Sequence, residues 1–331
     1  MFKGHIKNLL FYIGSTPIGK VIARPVRGKG AILCYHRIVD NETFIKEKSP
    51  QKNLLTTIEN FNNHLSYLSS NYKVVSMDEI VNHLNTDSNE FKIAITFDDG
   101  YKDNYEHALP LLEKYKTPAT IYIATRFPEG DCTMWWYELW DIINKKQFIS
   151  FEFREKIYSL DCKDIKQKTN TYNKLSRLIV FEDLNTQKNL LKLIGNKSKL
   201  INYSSKCLTW EEIKILSKSS LISIGSHTHN HNSLKHLTDK ESFWEIESSK
   251  KMIEDVINQA VVHLAYPYGT KNDVSLREQV YSRNCGYVSA VETGRMKLNN
   301  NTSVFSLPRV SIRNTRSFIV EGQLSGIGNY F

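Results

Sequence analysis

Residues 93–101 read Ile-Ala-Ile-Thr-Phe-Asp-Asp-Gly-Tyr, an apolar run that ends in two adjacent carboxylates and a glycine. A short apolar run bounded by turn residues predicts a buried strand over Lys92–Phe97. Asp98 and Asp99 follow directly on this strand, and in parallel α/β folds the carboxyl ends of the strands carry the active site. Adjacent carboxylates repel each other. Their pairing is explained if one binds a cation while the other accepts and donates a proton. The alternative is that both only cap a helix near 103–116.

Short apolar runs alternate with helical patterns on both sides of this strand. Such alternation indicates parallel βαβ units, and seven or eight units favour a (β/α) barrel over an open sheet. A capping box of Thr209 and Glu212 predicts the start of one helix. The remaining predicted strands lie near 31–35, 72–76, 119–124, 221–224, 261–266, 287–291 and 304–310, and the remaining helices near 57–70, 77–84, 239–258 and 274–284.

The alternation stops between residues 126 and 206, where the sequence is Lys- and Asn-rich and mostly helical in pattern. We interpret 126–206 as a largely helical insertion on the loop face of a barrel formed by 29–125 and 207–331. Residues 1–28 form an N-terminal basic or amphipathic segment, for which contact with a membrane surface is one interpretation.

Composition narrows the class of protein. With 331 residues, of which 40% are hydrophobic, the chain can form a sizeable core, which excludes wholesale disorder. No run reaches the ~18–20 apolar residues of a membrane-spanning helix, so we expect no integral membrane protein. The formal charge of +9 is spread without a basic block, so no nucleic-acid partner is expected. Five scattered cysteines and an N-terminus unlike a cleavable secretory signal favour a cytoplasmic protein, with peripheral contact at the inner membrane face as a further expectation.

A second candidate site follows another predicted strand, at residues 224–231, which read Ile-Gly-Ser-His-Thr-His-Asn-His. His227 and His231 share a face if this turn is helical, as metal ligands require. If the segment is extended, all three histidines point one way and His229 can join them. Two neutral imidazoles and one carboxylate form a three-ligand site that leaves a position open for water, as in hydrolytic metal sites.

Together with the turn sequence Leu-Ala-Tyr-Pro-Tyr-Gly at 264–269, these segments resemble the polysaccharide deacetylase domain (NodB homology, carbohydrate esterase family 4). The likeness covers roughly 30–125 and 207–310, and members of the family have a distorted (β/α) barrel and remove N-acetyl groups from amino sugars. The family's T-F-D-D-G motif matches 96–100, its H-[ST]-x-x-H motif matches 227–231, and its R-x-P-Y-G motif corresponds to 265–269.

The resemblance implies a role for each matched residue. Asp98 corresponds to the general base, and Asp99, His227 and His231 correspond to the ligands of a divalent metal. His229 falls on a variable position of the motif and is not expected to bind. Two imidazoles and a carboxylate suit Zn²⁺, although Co²⁺, Ni²⁺ or Mn²⁺ would also occupy such a site.

Further residues are expected around the substrate. The tetrahedral oxyanion formed during hydrolysis would lie between the metal and a backbone N–H just after the acid pair, for which Tyr101 is the candidate. Tyr268 belongs to the third motif, and Trp210 can stack on a sugar ring.

The sequence departs from the family pattern in two places. Ala265 stands where the third motif usually has the Arg that orients the base, and no His follows His263 to supply the usual late acid. His36 follows the first strand. In a subset of the family similar to poly-N-acetylglucosamine deacetylases, a histidine also follows the first strand, as though the last barrel strand had moved to the front of the sequence. His36 is therefore the candidate general acid. Arg309 is the candidate replacement for the missing Arg near Asp98.

These features predict a metal-dependent enzyme that releases acetate from an N-acetylated sugar in a bacterial surface polysaccharide or its precursor. A deformylase or an O-acetyl esterase of the same mechanism is one alternative. A catalytically silent glycan-binding module is another, favoured by Ala265 and by the missing late His. The expected partner is the glycan, with peripheral contact to a membrane or a lipid-linked glycan as a further interpretation.

Overall fold

The structure is a computed structural model that describes Thr16, residues 27–294 and residues 298–325. The predicted N-terminal segment at 1–28 therefore lies outside the described residues, apart from Thr16, Arg27 and Gly28.

Seven parallel strands close into a barrel, which confirms the predicted fold class. The strands are β1 (Gly30–Tyr35), β2 (Arg37–Val39), β3 (Leu55–Thr57), β4 (Lys73–Val74), β5 (Lys92–Phe97), β6 (Ala119–Ile123), β7 (Phe148–Phe153), β8 (Lys156–Asp161), β9 (Ile222–Ser226), β10 (His263–Ala265), β11 (Ser289–Thr293) and β12 (Leu307–Ser311). The ring runs β1-β12-β11-β10-β9-β6-β5 and returns to β1, while β4 pairs only with the start of β5 and takes no part in closure.

The position of β1 decides which residues meet at the carboxyl end of the barrel. It pairs with β5 along its full length, and the last pair of this register is Tyr35 and Phe97. The residues that follow, His36 and Asp98, therefore leave the barrel side by side. On its other edge β1 pairs with β12, which places Arg309 opposite Ile32 inside the barrel.

Helices surround the ring, and eight of the eleven α-helices in the described residues begin after an Asp, Ser or Thr whose side chain caps the N-terminus. The predicted capping box of Thr209 and Glu212 is confirmed at the start of the helix Trp210–Ser217. A π-helical turn over Asn104–Ala108 precedes α4, so the helix predicted near 103–116 is divided in two. The α-helices are α1 (Asn41–Lys46), α2 (Ile58–Asn71), α3 (Met77–Leu84), α4 (Leu109–Lys114), α5 (Trp135–Asn144), α6 (Ile165–Ile179), α7 (Leu184–Gly195), α8 (Trp210–Ser217), α9 (Asp239–Ile257), α10 (Leu276–Asn284) and α11 (Ser317–Leu324).

The segment 126–206 contains helices α5, α6 and α7 and also an antiparallel hairpin of β7 and β8. The prediction of a largely helical insertion omitted this hairpin. Its first strand does alternate, with Ile149 and Phe151 buried, but its turn is built from Arg154 and Glu155, both with positive φ. Such turns usually carry Asn or Gly, so the sequence lacked the usual hairpin signal.

The buried apolar residues of this segment pack into a cluster of their own beside the barrel core, and the barrel residues Tyr101 and Cys207 belong to that cluster. Within the part of the chain that the structure describes, no helix has both the length and the apolar character needed to cross a membrane.

We expect Gly225→Ala to destabilise the barrel. A Cβ at this position in β9 would lie 2.4 Å from the Tyr122 ring and 3.1 Å from the His263 carbonyl oxygen, inside the closed ring. Overpacking of this kind costs about 1–3 kcal/mol in the free energy of unfolding, measurable by urea denaturation.

Gly195→Ala is the control for this substitution, because its Cβ would mainly meet the flexible Lys197 side chain at the end of α7. It should change the free energy of unfolding by less than about 1 kcal/mol. Equal stability of wild type and Gly225→Ala would contradict the tight packing inferred here.

Candidate active site

A cavity of about 520 Å³ opens at the carboxyl end of the barrel, between the strand ends and the segment 126–206. The helix α6 contributes part of its wall through Tyr172 and Arg177. The candidate residues that line this cavity are His36, Asp98, Asp99, His227, His231 and Tyr268, and they are joined there by Cys34, Trp135 and Trp136.

Asp99, His227 and His231 converge on one point in this cavity. The Asp99 Oδ1 atom lies 3.4 Å from Nε2 of His227 and 3.1 Å from Nε2 of His231. One ligand atom from each residue lies within 4.8 Å of the other two, and all three side chains are buried. Nδ1 of His227 is hydrogen-bonded to the Ala265 carbonyl oxygen at 2.7 Å, so its Nε2 atom carries the lone pair that a metal needs.

These three residues fit a bound metal ion. Asp99 Oδ1 is buried, and although both ring nitrogens are close, it makes no hydrogen bond of good geometry within the described residues. Ligand atoms about 2.0–2.1 Å from a tetrahedral Zn²⁺ lie about 3.3 Å from one another, which matches the observed contacts. Burial raises the pKa of Asp99, but its contacts with the two imidazoles lower that pKa well below its usual range. The carboxylate is therefore ionised and available as a ligand.

The loop that carries the histidines is neither helical nor extended, which settles the question that the sequence left open. Thr228 and His231 have left-handed backbone conformations, with φ of 63° and 58°. His227 and His231 thereby face Asp99, whereas His229 turns away. Its Nδ1 atom lies 2.8 Å from Thr125 Oγ1, and its ring packs edge-on against Trp244.

Asp98 has a different partner from Asp99. Arg309 donates two parallel hydrogen bonds to it, each of 2.6 Å, from Nη1 to Oδ1 and from Nη2 to Oδ2. The guanidinium reaches Asp98 from inside the barrel, where only 2% of Arg309 is exposed. Burial raises the pKa of Asp98, but the charge and hydrogen bonds of Arg309, together with the nearby His227 and His36, outweigh burial and lower the pKa to about 2. Ala265, which occupies the usual Arg position, is fully buried in β10.

His36 and Cys34 lie beside the same carboxylate. The ring of His36 and the thiol of Cys34 each have an atom within 4.8 Å of an Asp98 oxygen, and Cys34 Sγ is 3.5 Å from Oδ2. The backbone of His36 is fixed by the Asn104 side chain, which donates to its carbonyl oxygen at 2.7 Å. Burial lowers the pKa of His36, and although Asp99 and Asp98 raise it, the net shift is downward, which favours the neutral ring.

Of the two predicted tyrosines, Tyr268 lines the cavity, whereas the Tyr101 side chain is buried against the segment 126–206. Backbone hydrogen bonds on either side of the Tyr101–Cys207 bridge make this a non-hydrogen-bonded pair, so the Tyr101 N–H points away from Cys207. The Tyr268 ring lies edge-on to His231, with 4.8 Å between the ring centroids. Its hydroxyl oxygen accepts a 2.9 Å hydrogen bond from Nε1 of Trp135.

Trp210 is not part of the cavity, contrary to its prediction as a substrate residue. It is the first residue of α8 and packs against the barrel core. Trp135 and Trp136 supply the aromatic wall instead, and the Trp136 ring lies 5.1 Å from that of His231. In the sequence, the consecutive aromatic residues at 135–137 mark this wall: stacking of Trp135 and Trp136 on a sugar ring is one expectation for them, and burial under the segment 126–206 is the alternative. No local pattern marks Tyr172.

Comparisons with known proteins identify relatives of this chain and solved structures with a similar fold. YxkH of Bacillus subtilis (strain 168), whose name places it among the polysaccharide deacetylases, is 24% identical over 284 residues, which cover 85% of this chain and 70% of YxkH. The fold is similar to that of the deacetylase PplD of Streptococcus pyogenes, with a TM-score of 0.59, 19% identity and coverage of 89% and 97% of the two chains. It is also similar to IcaB of Ammonifex degensii, with a TM-score of 0.55, 17% identity and coverage of 89% and 97%.

The sequence model of one family, described as polysaccharide deacetylase, matches residues 85–288. This range includes both acids and the two histidines that face Asp99, while His36 and Arg309 lie outside it. Since the match covers more than half of the sequence, the chain belongs to the polysaccharide deacetylase family.

Proposed function

We propose that this protein is a metal-dependent deacetylase that hydrolyses N-acetyl groups of amino sugars in a bacterial surface polysaccharide or its precursor. One observation carries the proposal: the adjacent acids Asp98 and Asp99 contact different kinds of group. Asp98 is bound by a guanidinium, and Asp99 faces two ring nitrogens. The structure of the deacetylase PplD was determined in complex with acetate, the product that the proposal expects here.

Asp99, His227 and His231 would hold the metal ion, for which Zn²⁺ is our first choice. A divalent cation at this position would polarise the amide carbonyl and lower the pKa of a bound water. The open side of the three-residue cluster faces the cavity, where substrate and water can enter.

Asp98 would accept a proton from the attacking water. Arg309 keeps this carboxylate ionised and fixes both of its oxygens, so that it is ready as a base without reorientation. The backbone N–H of Tyr101 would donate to the oxyanion of the tetrahedral intermediate.

His36 would give a proton to the departing amine. Its ring is neutral in the free protein, so it would first take up the proton that Asp98 removes from water, at a separation of less than 4.8 Å. The aromatic rings of Trp135 and Tyr268 would pack against the apolar face of the sugar. This arrangement supports turnover rather than simple glycan binding, because a binding module has no use for a fixed base beside a proton carrier.

We expect the metal to be held by Asp99, His227 and His231 together. Asp99→Asn should remove the charged ligand, so that the purified variant retains less than about a tenth of the Zn²⁺ bound by wild type. Elemental analysis measures the metal, and acetate release from N-acetylglucosamine oligomers measures activity. Chelation of wild type should abolish acetate release and added Zn²⁺ should restore it. Full activity after complete metal removal would contradict the proposal.

Arg309→Lys should lower kcat about 100-fold, because a lysine keeps the charge but cannot fix both oxygens of Asp98. Zn²⁺ content should remain that of wild type. Arg313→Lys is the matched control, since Arg313 is exposed just beyond β12. Equal kcat values for Arg309→Lys and wild type would show that Arg309 does not position the base.

His36→Ala should lose about 10²–10⁴-fold in kcat while keeping its Zn²⁺, because a general acid contributes to turnover and not to metal binding. His236→Ala, at an exposed position, serves as the control and should retain normal kinetics. If His36→Ala releases acetate at the wild-type rate, another group donates the proton.

A further inference from the structure

The loop between His227 and His231 requires external support. Both Thr228 and His231 adopt left-handed backbone conformations, which are unfavourable for residues with a Cβ and most unfavourable for a β-branched residue such as Thr228. A conformation of this kind persists only where the surrounding structure holds it in place.

The carbonyl groups of the loop are held from one side by the chain that follows β6. The Thr125 N–H donates to the Thr228 carbonyl oxygen and the Arg126 N–H donates to the His229 carbonyl oxygen, each at 3.1 Å. These two bonds lie beyond the last pair of the β6–β9 ladder, Ile123 and Ser226. They leave the N–H groups of the loop facing the opposite side.

Glu245 of α9 binds these N–H groups. Its Oε2 atom accepts from the His229 N–H at 2.9 Å and from the Asn230 N–H at 2.8 Å, and its Oε1 atom accepts from Asn230 Nδ2 at 2.6 Å. Only 2% of Glu245 is exposed, and within the described residues no Lys or Arg forms an ion pair with it. A buried carboxylate without a cation requires such donors. The N–H groups therefore stabilise the Glu245 carboxylate, and the carboxylate in turn holds the loop in place.

The two imidazoles differ in how they are oriented. His227 is fixed by its own hydrogen bond to the Ala265 carbonyl oxygen, whereas Nδ1 of His231 is buried and has no hydrogen-bond partner within the described residues. The direction of the His231 ring therefore depends on its backbone and on packing against rings such as Trp136 and Tyr268.

We propose that Glu245 is a positioning residue for the metal site: by holding the His229 and Asn230 N–H groups, it sets the backbone that aims His231 at Asp99. This inference rests on the proposed function for the identity of the bound ion. Glu245 lies 14 residues beyond His231 in the sequence and outside every motif that marks the site.

The test is a swap of hydrogen-bonding groups between Glu245 and Asn230. In Glu245→Gln the amide oxygen can still accept hydrogen bonds from the backbone N–H groups of the loop. The new NH₂ group, however, faces the NH₂ group of Asn230, so two donors meet and that hydrogen bond is lost. In Asn230→Asp two carboxylates oppose each other. In the double variant the new amide at position 245 can donate to the new carboxylate at position 230. The second oxygen of that carboxylate can accept from Arg126, which contacts Asn230 Oδ1 at 3.1 Å in the wild type.

The Zn²⁺ dissociation constant of the full chain would be measured by calorimetric titration, with the absorption spectrum of the Co²⁺-loaded protein as a check on ligand geometry. We expect Glu245→Gln to weaken Zn²⁺ binding about 10-fold. If the two single substitutions acted independently, their effects on the free energy of Zn²⁺ binding would add. The double variant should bind Zn²⁺ at least about 5-fold more tightly than that sum predicts. Glu247→Gln is the matched control on α9, where Glu247 pairs with Lys251 outside the site, and it should bind Zn²⁺ like wild type.

Additive effects of the two substitutions, or wild-type affinity in Glu245→Gln, would overturn the proposal. Amide hydrogen exchange of a peptide spanning 226–233 gives a readout that does not depend on metal. It should be faster in Glu245→Gln and return toward wild type in the double variant. If wild type binds no metal, the proposed function fails, and unchanged exchange in Glu245→Gln would separately refute the role of Glu245 in the loop.

Discussion

The site depends on two adjacent, buried carboxylates that are each bound by different groups. Asp98 and Asp99 share one strand end and less than a tenth of each is exposed, so their mutual repulsion has to be compensated locally. Asp99 adopts a left-handed backbone conformation, with φ of 72°, and the two side chains contact different groups. Each acid then has its own counterpart: a guanidinium for Asp98, and for Asp99 two imidazole nitrogens with room for a cation.

The order of strands in the barrel makes this arrangement possible. Because β1 lies between β5 and β12, residues from the start, the middle and the end of the sequence meet around Asp98. His36 lies beside the Asp98 carboxylate at the carboxyl ends of the strands, and Arg309 of β12 binds the same carboxylate from inside the barrel. The Ala265 backbone carbonyl oxygen of β10 accepts a hydrogen bond from His227.

Local patterns in the sequence were sufficient for most of the fold and for part of the site. Apolar runs fix the strands to within a few residues, and the adjacent acids and clustered histidines mark the two loops that meet, because each signal is contained in a short segment. The conformation of 227–231, the absence of Trp210 from the cavity and the support from Glu245 were not predictable in this way. They depend on left-handed backbone conformations and on contacts between distant segments, which no short stretch of sequence encodes. The hairpin turn at Arg154 and Glu155 was missed for a related reason: its residues are unusual for the conformation that they adopt.

The bond between Asp98 and Arg309 also bears on how the chain is made. These residues are 211 positions apart, so the ribosome releases the acid long before its counter-charge exists. A ring closed without β12 would enclose a bare carboxylate, which costs several kcal/mol in a buried setting. Formation of the complete ring therefore requires β12, which supplies both the pairing edge for β1 and the guanidinium that neutralises Asp98.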